Sequence, residues 1–341
     1  MSIPGVNKPA RHWRPGRTFA ALGGLLVAAA GYHVLLGASA VSLQTVWQAL
    51  FHYDPTRFPQ RILVDLRLLR LCAAALTGAA LGIAGLLLQA VIRNPLGEPH
   101  ILGLNAGAAL AVVAATASGA GWFALPFARP LAAAGGAALL FSLVMGLSSA
   151  GRTGLTPLNV TLCGVALSAF ASSLTAAILI LDEQTLQSIR LWLAGDLSGL
   201  HWATLKYACW PLITGAGMAI YLAPSLTMLA LGDQAASGLG VNLLRTRLLT
   251  MLAVALLCGA AVSIAGPIGF IGLVVPNIIR RRVTDDVRQA VPLCAAGGAL
   301  LLIVADILAR TLIAPQELAT GLMTAFAGAP VFIWLAARWC R

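Results

Sequence analysis

Residues 71–92 read LCAAALTGAALGIAGLLLQAVI, a run of 22 residues without a single charged side chain. An α-helix rises about 1.5 Å per residue, so about 20 apolar residues cross a hydrocarbon layer of about 30 Å. The pattern predicts an all-α integral membrane protein, because a soluble domain would carry charge on nearly every surface turn. Further uncharged stretches of at least 17 residues lie at 18–53, 99–128, 130–151, 153–181, 207–232, 248–279, 289–305 and 318–337.

The uncharged stretches predict about ten transmembrane helices in one bundle. Residues 248–279 are too long for one crossing, and Gly266-Pro267 predicts a break there, because proline lacks a backbone donor and clashes with the preceding turn. A tail at 1–18 and a single transmembrane domain at 19–338 follow. The predicted spans are 19–38, 71–92, 100–120, 130–150, 159–181, 205–224, 248–265, 268–280, 291–309 and 321–338.

The basic residues indicate an orientation. With the N-terminus inside, ten spans place 14 basic residues in the cytoplasm and 8 on the other side, as the positive-inside rule requires. We therefore expect a multi-pass protein of the bacterial inner membrane with both termini cytoplasmic and membrane lipid around it. The first span also resembles a signal peptide ending at Ala38-Ser39-Ala40, but its length favours an uncleaved helix.

Composition and motifs exclude several functions. The net charge of +11 sits at span ends, which argues against a nucleic-acid partner. Six cysteines form no C-x-x-C pair, and the chain lacks G-x-S-x-G and H-E-x-x-H, so we expect no catalytic residue, metal site or cofactor. An intramembrane hydrolase lacks any nucleophile–base pair at recognisable spacing. Neither Lys8 nor Lys206 follows a glycine, so ATP hydrolysis would need another polypeptide.

Carboxylates are scarce inside the predicted spans. Asp306 and Glu317 lie near span ends, and no acidic residue falls clearly at mid-membrane. Ion-coupled carriers usually bury a carboxylate that binds and releases the ion. This weakens, but leaves open, the alternative of an ion- or proton-coupled secondary transporter.

Glycines repeat at helical spacing within two spans. Gly78 and Gly82 form one G-x-x-x-G pair, and Gly103 and Gly107 form another. Such pairs let helix backbones approach closely in lipid. The spacing fits either a dimer seam or packing within one subunit.

Several segments resemble one known family. Residues 67–111 contain RNPLGEP, residues 266–281 read GPIGFIGLVVPNIIRR, and residues 306–334 read DILARTLIAPQELATGLMTAFAGAPVFIW. With LWLAGDLSG at 191–199 and LALGDQAASGLGV at 229–241, they resemble the permeases of ATP-binding-cassette (ABC) importers for iron-siderophores, haem and cobalamin. The resemblance covers about residues 60–338.

The resemblance implies a ten-helix fold like that of the cobalamin-importer permease and a non-enzymatic transport role. It implies a second permease subunit, identical or homologous, two cytoplasmic ATPase subunits and a periplasmic substrate-binding protein. The cargo would be a metal chelate that moves from periplasm to cytoplasm, with a ferric siderophore favoured. Departures at Leu69, Asp196, Asn277, Thr284–Val287 and Ala319 leave the exact cargo open.

The resemblance also implies three sets of site residues. Binding-protein docking falls on Arg67, Arg70 and Arg310, whose planar guanidinium groups suit carboxylates, although arginines at span ends also anchor lipid headgroups. ATPase coupling falls on a cytoplasmic loop at 225–247, where Asp233 can cap a short helix and two glycines allow a turn. The coupling residues are Asp233, Gln234, Ala236, Gly238 and Gly240, and those of a cytoplasmic gate are Asn94, Leu96, Thr156, Pro157 and Leu158.

Overall fold

The computed structural model describes residues 13–36, 43–54, 56–95, 97–100, 102–119, 125, 127–150, 157–313 and 316–339. Within these ranges every regular element is helical. A π-helical segment, Leu63–Leu68, joins the third helix to the fourth. The helices are α1 Pro15–Leu35, α2 Leu43–Phe51, α3 Phe58–Ile62, α4 Leu69–Ile92, α5 Leu104–Ala117, α6 Ala128–Ala150, α7 Pro157–Leu181, α8 Glu183–Leu193, α9 Trp202–Leu229, α10 Asp233–Gly238, α11 Leu243–Ala265, α12 Ile271–Arg282, α13 Val287–Thr311 and α14 Thr320–Trp339.

Ten of these helices coincide with the ten predicted spans. Counted over the described residues, seven are long and apolar enough to cross a membrane: α1, the continuous helix Phe58–Ile92, α6, α7, α9, α11 and α13. Two shorter apolar helices are Leu104–Ala117 and Thr320–Ile333. The tenth, α12, has 12 residues and follows the predicted break. The all-α membrane fold is therefore confirmed.

The break at Gly266-Pro267 is confirmed in detail. Helix α11 ends at Ala265, and Gly266 adopts a φ of 72°, a left-handed conformation that glycine tolerates. A side chain there would also overlap the Trp192 carbonyl group. Phe270, with a φ of 70°, is the N-cap residue of α12. The turn 266–270 therefore requires a glycine at position 266, both for its φ and for its close contact with Trp192.

Helix α4 forms the centre of the bundle with α13. In the most apolar window of the helix that contains α4, 72% of the residues are buried inside the chain, against 11% for α7. A Cβ on Gly78 or Gly82 would overlap the carbonyl groups of Gly298 and Cys294 respectively. Small residues are therefore required where these two backbones touch.

The second glycine pair also packs within the chain. Gly107 on α5 lies against Gly136 on α6, and a Cβ on either residue would overlap the other's carbonyl oxygen. Gly103 takes a φ of 86° where α5 begins. Packing inside one subunit therefore accounts for both G-x-x-x-G pairs.

Two local predictions were wrong. The second span does not start at residue 71, because the helix continues back through the π-helical segment to Phe58. Arg67 and Arg70 thus lie within this helix and not before it. Asp233 does not cap α10: Gly232 is the N-cap residue, and the Asp233 carboxylate binds arginines instead. A φ of 110° at position 232 explains the preference for glycine there.

Candidate functional site

The three arginines of the predicted docking site line one cavity. Arg67, Arg70 and Arg310 surround a space of about 420 Å³ together with Asp65 and Glu317. Residues 197–200, which follow α8, also line this space. The structure thus brings together residues separated by more than 200 positions in the sequence. We call this cluster the arginine cavity.

Asp306 is the buried carboxylate that holds Arg70 in the arginine cavity. Its side chain is fully buried and accepts a bidentate pair from Arg70, with Nε at 3.0 and 2.9 Å from Oδ1 and Oδ2 and a terminal nitrogen at 2.9 Å from Oδ1. His33 Nε2 lies 2.8 Å from Oδ2, and the Thr320 hydroxyl donates to Oδ1 at 2.7 Å. The carboxylate on α13 therefore ties together α1, α4 and α14.

Arg67 and Arg310 are held by the end of α1. Arg67 is 4% exposed and donates to the Val34 carbonyl at 2.8 Å, while Arg310 donates to the Leu36 carbonyl at 3.0 Å. Carbonyl groups at a helix C-terminus lack intrahelical donors, so arginine satisfies them. The docking prediction did not anticipate these internal contacts.

Glu317 covers the arginines on the cavity side. Its Oε2 accepts from the Arg70 terminal nitrogen at 2.6 Å, and its Oε1 lies 3.8 Å from Arg310 Nε. Glu317 is 48% exposed, whereas the two guanidinium side chains are each 11% exposed. Among the described residues, the site therefore combines one fully buried carboxylate, Asp306, with two solvent-facing carboxylates, Glu317 and Asp65.

A second ion cluster lies at the far end of α4. Asp233 on α10 pairs with Arg93 and accepts from the Arg247 terminal nitrogen at 3.0 and 2.9 Å. Burial alone would raise the pKa of Asp233, but the hydrogen bond and charge of Arg247 and the charge of Arg93 outweigh it and lower this pKa. Positions 70 and 93 are separated by about 35 Å of helix, so the two clusters lie at opposite ends of the bundle.

The predicted coupling residues form one short helix and its exit. Ala236 is fully buried, whereas Gln234 and Gly238 are exposed. Gly240 has a φ of 84°, which explains the glycine, but Gly238 is ordinary helix with open space around it. The predicted loop at 225–247 is therefore the end of α9, all of α10 and the start of α11.

The predicted gate residues are only partly described. Leu96 and Thr156 lie outside the described residues, and Pro157 begins α7, where Leu158 is exposed. Asn94 follows Arg93, whose φ of 51° ends α4. Asn277 on α12 donates to the Pro95 carbonyl at 2.7 Å and so holds this segment. The gate assignment itself stays a prediction.

Glu98 is a buried carboxylate that sequence analysis missed. It is 3% exposed and accepts a hydrogen bond from the backbone N–H of Phe270. Asn105 supports the same turn by donating to the Ile268 carbonyl at 2.9 Å, and Gln89 donates to Gly272 at 3.0 Å. Burial raises the pKa of Glu98 to about 7. The only signal in the sequence was an acidic residue beside the predicted third span.

Two carboxylates that lie beside or near the ends of predicted spans are thus buried in the fold. Asp306 and Glu98 are both inside the fold. Each already binds internal donors, Asp306 from three helices and Glu98 from the turn before α12. Their contacts give them structural roles.

Comparison with known proteins decides the family. The sequence model of the FecCD transport family matches residues 25–338. This chain belongs to the FecCD transport family. It is therefore a membrane permease of the ABC-importer type, and the alternative of an ion- or proton-coupled carrier is not favoured.

Individual relatives cover nearly the whole chain. FhuB of Bacillus subtilis (strain 168), an iron(3+)-hydroxamate import system permease protein, is 42% identical over 92% of this chain and 81% of its own length. FepD of Escherichia coli (strain K12), a ferric enterobactin transport system permease protein, is 39% identical over 93% of this chain and 94% of its own length. A structure described as a metal-chelate type ABC transporter in an inward-facing conformation has a TM-score of 0.79 and 28% identity, covering 95% of this chain and 99% of that one.

Proposed function

We propose that this chain is the permease subunit of an ABC importer that moves a ferric siderophore from the periplasm to the cytoplasm. The observation that carries the proposal is the 42% identity to an iron(3+)-hydroxamate permease over 92% of the chain. Permeases for ferric enterobactin and for a probable siderophore system match at 39% and 38%. Haem and vitamin B12 permeases match at 37% and 38%, so cargo has to be settled by transport.

The proposed assembly has a second permease subunit, identical or homologous, two cytoplasmic ATPases and a periplasmic binding protein. Helix α7 supports an external partner for the membrane domain, because only 11% of its most apolar window is buried inside the chain. Its exposed side chains include Phe170, Leu174 and Ile180. Lipid or a second permease subunit would cover such a surface.

The two ends of α4 would serve the two soluble partners. The arginine cavity would receive carboxylates of the binding protein, since guanidinium groups bind carboxylates through paired hydrogen bonds. At the other end, α10 offers an exposed face that suits a groove of the ATPase. ATP binding would then move α10, and Asp233 would pass that motion to Arg93 at the end of α4 and to Arg247 on α11.

Cargo would leave through the cytoplasmic end of the bundle near Asn94 and Pro157. The Asn277 contact to the Pro95 carbonyl links this segment to α12. A shift of α12 relative to α4 would therefore move the residues after Arg93. The chain makes no covalent change to the cargo, and its own residues bind partners and shape the pathway.

Uptake into right-side-out membrane vesicles loaded with ATP tests the proposal. Vesicles would contain this chain with candidate ATPases and binding proteins and receive ⁵⁵Fe-loaded hydroxamate or catecholate siderophore, haem or labelled cobalamin. We expect uptake of a ferric siderophore that requires ATP, the ATPase and the binding protein. Uptake that persists without ATP and collapses with an uncoupler would contradict the importer, and uptake of cobalamin alone would contradict the cargo.

A further inference from the structure

The arginine cavity contains a carboxylate of its own at the place where an external carboxylate would bind. Arg70 commits Nε and one terminal nitrogen to buried Asp306, and its other terminal nitrogen points to Glu317 at 2.6 Å. Arg310 uses one terminal nitrogen for the Leu36 carbonyl, and its Nε lies 3.8 Å from Glu317. Glu317 therefore accepts a hydrogen bond from Arg70 and forms a longer ion pair with Arg310.

Glu317 and Asp306 differ in how easily each can leave. Asp306 is fully buried and accepts hydrogen bonds from three side chains. Its departure would leave the Arg70 guanidinium desolvated and without its partner, at a large cost in free energy. Glu317 is 48% exposed, so water can solvate it as it moves away from Arg70. An incoming carboxylate that takes its place leaves the charge next to the arginines unchanged.

We infer that Glu317 is an intramolecular competitor that occupies the arginine cavity until a carboxylate of the binding protein displaces it. The inference rests on the proposed docking function of Arg70 and Arg310. A competing internal ligand lowers the apparent affinity of the external one by the fraction of time it occupies the site. Glu317 thus keeps docking reversible and keeps the arginines paired when no binding protein is present.

Asp65 provides a matched control for charge. It is exposed and lines the same cavity, and no ion pair to Arg70 or Arg310 is seen for it among the described contacts. Glu317→Gln and Asp65→Asn each remove one negative charge, but only the first removes a carboxylate that is paired with Arg70 and Arg310. If general attraction between the cavity and an acidic partner were the cause, both variants would act alike.

Two measurements on the full chain in nanodiscs test the inference. The first is docking of the binding protein that supports uptake, measured by surface plasmon resonance. We expect Glu317→Gln to tighten docking by about threefold, a change in the range of one exposed ion pair, and Asp65→Asn to change it much less. The second is phenylglyoxal modification of Arg70 and Arg310, followed by peptide mass spectrometry, which Glu317→Gln should accelerate without any partner.

The outcomes separate this inference from the function it rests on. If Arg310→Ala weakens docking but Glu317→Gln changes neither docking nor phenylglyoxal reactivity, docking stands and the competitor is refuted. Equal gains from Glu317→Gln and Asp65→Asn also refute it, in favour of net charge. If Arg310→Ala leaves docking unchanged, the docking site is wrong and the competitor falls with it. Glu317→Ala replaces Glu317→Gln if the latter does not fold.

Discussion

Replacing Asp306 with asparagine should strongly destabilise the bundle. The substitution preserves the shape of the side chain but leaves the Arg70 guanidinium, 11% exposed, without its bidentate partner. Breaking a buried ion pair on one side costs about 3–5 kcal/mol, because the remaining charge stays desolvated. His33 and Thr320 also lose an ionised acceptor, so a loss of about 3 kcal/mol is a conservative expectation.

Thermal unfolding in nanodiscs, followed by tryptophan fluorescence, measures this loss. Asp285→Asn is the matched control: Asp285 is 74% exposed and lies 3.8 Å from Arg280, so its loss should cost at most about 0.5 kcal/mol. The double variant Arg70→Met/Asp306→Leu should recover much of the stability, because an apolar pair removes the unpaired charge. Equal unfolding temperatures for Asp306→Asn and Asp285→Asn would refute the role of Asp306 as the buried anchor.

Two further predictions concern α10 and the turn before α12. Gly240→Val should reduce co-purification of the ATPase and lower the free energy of unfolding by about 1–2 kcal/mol, because residue 240 has a φ of 84°. Gly238→Ala is the control and should have neither effect, because Gly238 has ordinary helical geometry and open space around it. Equal effects of the two variants would contradict the argument from backbone conformation. The raised pKa of Glu98, about 7 in the fold against 4.5 ordinarily, means that stability falls as pH rises from about 4.5 to 7 and is level above that. Glu98→Gln should remove this slope in unfolding scans from pH 5 to 8, and an unchanged slope would exclude Glu98 as its source.

The spans were predictable because burial in lipid forces a local signal. A crossing helix cannot carry unpaired charge, so uncharged stretches mark α4, α6, α7, α11 and α13 directly. Helix α8 escaped prediction because its 11 residues are too short and too polar to resemble a crossing. The extension of α4 back to Phe58 escaped because Arg67 and Arg70 ended the uncharged run, although both are satisfied by internal acceptors.

The arginines of the candidate site were predictable from the sequence, but the side chains and carbonyl groups that they contact within the chain were not. The resemblance singled out Arg67, Arg70 and Arg310, and the structure places them in one cavity. Their contacts to Asp306, Glu317 and the end of α1 join residues up to 274 positions apart, and no spacing rule reaches that far. The prediction that Asp233 caps α10 was wrong because two arginines, one of them directly after α4, bind the same carboxylate more strongly than backbone N–H groups.

The glycine contacts between α4 and α13 also constrain motion. With Gly78 against Gly298 and Gly82 against Cys294, a slide of one helix past the other would drive backbone atoms into side chains. We therefore expect α4 and α13 to move together as one rigid body throughout the transport cycle. Movement of the outer helices would then expose the cargo route to one side of the membrane and then the other. Helix α7 is the foremost candidate, because the rest of the described chain buries it least.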